Sequence, residues 1–176
     1  QPMLSVMAIM GDLDTYPEWV FQCSGVNYRP EEWGKDVIRI RIKGIWPVSD
    51  RAGVFRSTIT QNPDSHAITI HSRDTDDVFP PQDDYVRLPD LDNKFIMEPL
   101  DDGWTRITFR TFVDPGGHIP AWLANFVATR APEYTLTNMA RLLKKDRYAL
   151  DTMDDLPIEF PGVTQMHFPS LHEPSG

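Results

Sequence analysis

Apolar and polar residues alternate along two neighbouring stretches of the chain. Between Asp36 and Gly44, Ile38, Ile40 and Ile42 fall on one side and Arg39, Arg41 and Lys43 on the other. Period two with one apolar side predicts a strand with one dry and one wet face. Val54 to Gln61 repeats the pattern, with Phe55, Ser57 and Ile59 opposed to Arg56, Thr58 and Thr60. Asn62-Pro63-Asp64-Ser65 has the composition of a hairpin connection and leads to a third strand, Ala67 to Arg73, with Ile68 and Ile70 inward. Tyr85 to Leu88, Lys94 to Leu100 and Trp104 to Val113 read as further strands, the last two joined by the tight turn Asp101-Asp102-Gly103. Strands that follow one another without intervening helices predict an antiparallel meander.

Helical spacing appears on either side of this block. Leu4 to Met10 is apolar and Met-rich. Asp14 and Thr15 stand where caps belong ahead of a short helix at Tyr16-Pro17-Glu18, with Pro17 in the first turn, Trp19, Val20 and Cys23 inward, and Gly25 as its stop. Towards the C-terminus, Asp114-Pro115-Gly116-Gly117 ends the strand block, because Pro gives no N–H to a ladder and paired glycines open turn conformations. Ile119, Trp122, Leu123, Phe126 and Val127 then recur at helical steps, and such a stripe either packs as core or faces a pocket. Leu136, Met139 and Leu143 form a stripe on a different face, with Pro132 between the two. A kink or break within Thr129 to Pro132 is expected. The order helix, strands, helix predicts an α+β fold, with a domain over residues 1–150. Residues 151–176 read as an extended tail anchored by Ile158, Phe160 and Phe168.

Composition narrows the function classes. In 176 residues, 17 basic side chains face 26 acidic ones, a formal net charge of −9. That argues against a nucleic-acid partner and leaves at most transient contact with an anionic membrane. No stretch is long and apolar enough to span a bilayer. The chain shows no secretory leader and opens on Gln1, which leaves the compartment open between cytoplasm and export. Cys23 is the only cysteine, so one chain builds neither a disulfide nor a thiolate metal site, and a buried apolar role is expected.

No nucleophile elbow, phosphate loop, dinucleotide fingerprint or metalloprotease motif is present, and neither a catalytic residue, a metal nor a cofactor is expected. His118 at the glycine corner is either an acid or base, or a surface histidine. The run Asp74, Asp76, Asp77, Asp83 and Asp84, interrupted by Pro80-Pro81, is either a cation site without a known spacing or a solvated loop. Arg51 and Arg87 adjoin strand edges beside apolar neighbours. Each is either a polar anchor for a ligand or half of a structural pair, with Asp50 or Asp114 as partners.

Several segments taken in order resemble the START family, the StAR-related lipid-transfer domains of the helix-grip fold. They are Asp14-x-Tyr16-Pro17-Glu18-Trp19-Val20 with Cys23, Trp46-Pro47-Val48-Ser49-Asp50-Arg51, Tyr85-Val86-Arg87, Glu98-Pro99-Leu100, the corner Asp114 to Pro120 with Trp122-Leu123-Ala124-Asn125, and Thr135-Leu136 with Met139. The Trp-Leu-Ala-Asn segment looks most like bacterial members. The resemblance implies a curved antiparallel sheet gripping the C-terminal helix, with a tunnel between them for a lipid or other apolar small molecule. The implied lining is Ile38, Ile42, Phe55, Ser57, Ile59 and Phe109 from the sheet. Ile119, Trp122, Leu123 and Phe126 would form the lid.

Two departures from the family accompany it. Where some sterol-binding members place a carboxylate and an arginine, this chain has Ile38 and Ser57, which implies a more uniformly apolar floor. The family also has an N-terminal helix and about three strands ahead of the Asp14 motif. Their counterparts are missing here, so either the chain is a fragment or processed product, or the tail or a second copy supplies edge pairing. Two alternatives to a carrier follow. One is a helix-grip enzyme of the cyclase or aromatase type using His71, His118, Arg51 or Arg87. The other is an interaction module, possible as a homo-oligomer, built on an incomplete sheet.

Overall fold

A computed structural model describes residues 2–78 and 84–168. Helix α1 (Met3–Gly11) leads through a 3-10 turn to α2 (Tyr16–Trp19). Strand β1 (Cys23–Tyr28) and the short helix α3 (Pro30–Trp33) precede β2 (Val37–Ile42), β3 (Arg51–Gln61) and β4 (Ile68–Asp74). Then come β5 (Val86–Arg87), β6 (Asp90–Pro99), β7 (Thr105–Asp114) and the long helix α4 (Ala121–Leu142). The strands form one seven-stranded sheet in the order β1-β2-β3-β4-β6-β7, and β5 pairs in parallel with the start of β3. All other pairings are antiparallel. The fold is the α+β meander that the alternation predicts.

Apolar side chains of α1, the sheet and α4 meet in one core. Every residue of α1 is buried, and Met7, Ile9, Ile68, Met97, Met139 and Leu142 are closed to solvent. A helix that is apolar all round except for Ser5 has no wet face to offer, so it is covered on all sides.

The region after α2 differs from expectation. Gly25 does not stop a helix: Cys23 and Gly25 lie in edge strand β1, paired with Ile42 and Arg41 of β2. The Arg41 guanidinium lies across Gly25, where any Cβ would collide with it. Thr15 does not cap α2 either; its hydroxyl donates back to the Asp12 carbonyl at 2.7 Å. The wet face of β2 is also partly dry, because Arg39 is buried beneath the Tyr85 ring.

Helix α4 contradicts the expected break: it runs unbroken through Pro132. Its buried positions are Leu123, Thr135, Met139 and Leu142, and half-buried Val127 and Ala131 fill the steps between them. These lie on one continuous stripe, so no change of phase exists for a kink to serve. Pro132 removes one hydrogen bond to the Ala128 carbonyl, but residue 128 is exposed, so the loss falls on the solvent side of the helix. Trp122 and Phe126 fall off the buried stripe and are 61% and 45% exposed.

Beyond α4 the described residues hold only short 3-10 turns, at Asp146–Tyr148, Met153–Asp155 and Val163–Gln165. Within the described residues the tail pairs with neither edge strand. In the acidic segment, Asp74 accepts a hydrogen bond from the Leu91 N–H and Asp76 pairs with Arg87. Pro80, Pro81 and Asp83 lie outside the described residues. Among those described, no cluster of three His, Cys, Asp or Glu side chains is placed to hold a metal ion.

Candidate functional site

Strand register lays two rows of side chains across the inner face of the sheet. Ile59 pairs with Ile70, Ile70 with Phe95, and Phe95 with Phe109. The last two rings stack with centroids 4.2 Å apart. Two residues along, Ser57 pairs with Ser72 and Ser72 with Asn93. Directly opposed side chains share a face, so the first row is apolar and the second carries uncharged hydrogen-bonding groups. Phe55 and Ile38, also register partners, extend the apolar surface towards Tyr28.

These rows form the floor of a cavity of about 130 Å³. Its roof comes from Met10 at the end of α1, Leu13, and Tyr16 and Trp19 of α2. The remaining wall is Ile158, Phe160 and Pro161 of the C-terminal tail. Thr135 is the sole lining residue from α4. The cavity therefore lies between the sheet, the N-terminal helices and the tail, rather than beneath the first turns of α4.

The polar groups around it are mostly paired. The hydroxyls of Ser57 and Ser72 are 2.7 Å apart, and the Thr111 hydroxyl donates to the Asn93 side-chain Oδ1. The Tyr16 hydroxyl donates to the Met10 carbonyl at 2.8 Å, and full burial pushes its ionisation well above the ordinary 10.0. The Thr135 hydroxyl accepts from the Phe21 N–H. Trp19 Nε1 is buried without a hydrogen-bond partner among the described residues. Charge enters only at the rim, where Lys35 pairs with Glu159 and Asp36 with Arg56.

Of the expected lining residues, Ile38, Phe55, Ser57, Ile59 and Phe109 border this cavity, and Ile42, Ile119, Trp122, Leu123 and Phe126 do not. Ile42 sits at the far end of β2, opposite Cys23 and Arg51. Leu123 is in the packed face of α4, and Trp122 and Phe126 point away from it.

Neither arginine reaches the cavity. Arg51 is buried and donates to the carbonyls of Ser49, Pro115 (3.2 Å) and Gly116 (3.1 Å), so it pins the two-glycine corner instead of anchoring a ligand. Gly116 and Gly117 there have φ of 63° and 69°, the left-handed region that glycine takes without strain. Arg87 donates to the Thr75 carbonyl and pairs with Asp76. His71 faces the other side of β4, bonded to Asp92 at 2.8 Å, and His118 is exposed. Cys23 is buried and free, and burial pushes its thiol up from 9.0.

Part of this site was readable from alternation alone. Continuing Ile68 and Ile70 by two reaches Ser72. Asn93 and Phe95 follow only once the register of β4 and β6 is known. The roof residues Met10, Tyr16 and Trp19 looked like ordinary apolar positions, and no periodicity marked the tail as a wall.

Comparison with known proteins gives consistent results. The sequence model of the START domain matches residues 2–146. An uncharacterized protein of Pseudomonas aeruginosa, PA1579, is 26% identical over 141 residues, which are 80% of this chain and 69% of that protein. The crystal structure of a STAR-related lipid transfer protein fragment from Xanthomonas axonopodis superposes with a TM-score of 0.70 at 25% identity, covering 80% of this chain and 78% of that one. Human StAR-related lipid transfer protein 5 superposes with a TM-score of 0.60 at 18% identity, over 72% of this chain and 62% of that one, a likeness of fold.

Proposed function

Because the chain belongs to the START domain family, we propose that it binds one lipid or comparable hydrophobic molecule in the cavity between sheet, α1–α2 and tail. The observation that carries this reading is the uncharged lining: the row Ile59–Ile70–Phe95–Phe109 stands beside the row Ser57–Ser72–Asn93. An apolar body lies against the first row, and one neutral group such as a hydroxyl or carbonyl meets the second. A charged headgroup has no buried counter-ion in this lining and stays at the rim near Lys35. Trp19 Nε1 is a further donor whose pairing with a ligand oxygen would relieve an unmet buried group. Removing ~300 Å² of apolar surface from water gains roughly 7 kcal/mol before ordering costs, enough for useful affinity.

The protein acts as a non-enzymatic carrier in this reading. Its candidate acid, base and cationic groups, His71, His118, Arg51 and Arg87, all lie off the cavity. Carriage between membranes follows as the finer form of the proposal, supported by the lipid-transfer naming of the Xanthomonas relative. Native mass spectrometry of gently purified protein tests binding: an adduct of one apolar molecule per chain is expected. Replacing Ile59 by Trp fills the floor and abolishes that adduct. Repeated absence of any copurified or exchangeable apolar molecule from the unaltered protein sinks the reading.

A further inference from the structure

The cavity walls differ in how firmly they are built. The floor is a hydrogen-bonded sheet, and the roof is helical and joined to the main core. The third wall belongs to residues 149–168, which lie outside the START match and hold no strand or α-helix. Ile158, Phe160 and Pro161 border the cavity, and Phe160 and Val163 are buried.

Gly11 makes this placement possible. Ile158 Cγ1 and Phe160 Cζ lie 3.1 Å from where a Cβ on Gly11 would sit, so the tail packs into space that a side chain would take. Among the described residues few polar contacts clasp it at the surface, and the His167 ring lies against that of His66 with centroids 4.6 Å apart. Glu159 pairs with Lys35, both half-exposed or more, and solvent and salt weaken so exposed a pair. Farther along, Gln61 at the end of β3 donates to the His167 carbonyl at 2.7 Å and accepts from its N–H at 2.8 Å. Upstream, Tyr148 is a firm anchor: it is 1% exposed and donates to Asp12 at 2.8 Å. A segment with a fixed base, few backbone bonds and exposed clasps opens at lower free energy than a sheet or a core helix.

A volume of about 130 Å³ matches roughly a benzene-sized guest, well short of a lipid. A larger guest that is to be fully enclosed must displace a wall. We propose that the tail from Leu156 to Phe168 is the size-determining wall of the binding site. It leaves as a unit, hinged after Tyr148, and the side chains of Ile158 and Phe160 set which guests fit without that opening. This inference rests on the carrier reading above and adds the residues that select by size and govern entry.

The test uses N-phenyl-1-naphthylamine, a neutral two-ring-system dye larger than this volume, with stopped-flow fluorescence on the full chain. The clasp variant Q61A/E159A removes exposed Glu159 and half-buried Gln61, which also donates to the His66 carbonyl, and the wall variant Phe160→Ala shortens the side chain facing the cavity. Circular dichroism checks that each remains folded. The expected result is association at least five-fold faster in the clasp variant and at least five-fold tighter binding in the wall variant. If Phe160→Ala does not fold, the clasp variant alone decides. Dye binding by the parent, with rates and affinity unchanged within two-fold in every folded variant, overturns the tail's role and leaves the carrier reading standing. No binding by parent or variants overturns both.

Discussion

Arg51 illustrates what a single residue can conceal. Its position beside a strand edge marks it as a cation with a buried partner, either a ligand or a carboxylate such as Asp50 or Asp114. The partners are backbone carbonyls at Pro115 and Gly116, more than sixty positions away, joined only once β3 and the end of β7 are neighbours of the same corner. No spacing rule sees such a bond, because carbonyls carry no sequence signature. The geometry predicts that Arg51→Met loses about 2–3 kcal/mol of stability, since hydrogen bonds to a charged donor vanish and the carbonyls lose their partner. Arg51→Lys should fall almost as far, because an ammonium lacks the planar fork that reaches several acceptors. Urea midpoints at constant slope measure both; a change under 0.5 kcal/mol in Arg51→Met would show that the corner holds itself. Cys23 gives a second residue-scale expectation. Burial and a raised thiol ionisation should make Ellman's reagent react at least a hundred-fold more slowly with folded than with urea-unfolded protein at pH 8. Equal rates would place the thiol at the surface.

Among the elements, strands were far more legible than helices. Alternation located β2 and β4 closely and most of β3, whose first residues Arg51–Gly53 lie ahead of the predicted start, because one face of each meets an apolar core or cavity. Strand β1 escaped notice, since Cys23-Ser24-Gly25 breaks alternation and its pairing carries an irregularity there. In α4 the predicted stripe is too wide, because it joins the large aromatics to the inner face. Leu123 and Val127 of that stripe do sit inside, with Ala131 and Thr135, and Trp122 and Phe126 sit outside. Side-chain size attracts attention, yet the axis along which a helix docks is set by the whole stripe. An uninterrupted helix containing Pro132 has a direct consequence. Pro132→Ala restores a donor to the Ala128 carbonyl and removes the ring's clash, so α4 should gain roughly 1–3 kcal/mol, less the packing of a half-buried ring. Thermal unfolding would rise by several degrees. A fall in midpoint would mean that the ring's contacts outweigh the lost hydrogen bond.

For the whole molecule, the roof of the cavity and the tail meet through a set of buried acids that only tertiary structure assembles. Tyr16 lines the cavity, Tyr148 anchors the tail on Asp12, and Cys23 begins the edge strand. Burial raises the ionisation of all three, most strongly for Tyr16. The folded state therefore keeps protons that the unfolded chain gives up, at pH above about 9 for the thiol and above about 10 for the phenols. Stability from these groups is fully present below pH 9 and is lost as pH rises through those values. Each group steepens the decline by at most about 1.4 kcal/mol per pH unit. Urea unfolding at pH 7.5, 9.0 and 10.5 should show a small change over the first interval and a steep fall over the second. Absorbance at 295 nm assigns the cause: the last phenolate should form together with loss of the near-ultraviolet circular dichroism, because Tyr16 cannot ionise in place. In Tyr16→Phe that coincident step should disappear and the alkaline fall should flatten. Flat stability up to pH 10.5, or a Tyr16 phenolate in folded protein, would mean that water reaches the roof of the cavity, and a wet roof is incompatible with a site that holds its guest by excluding water.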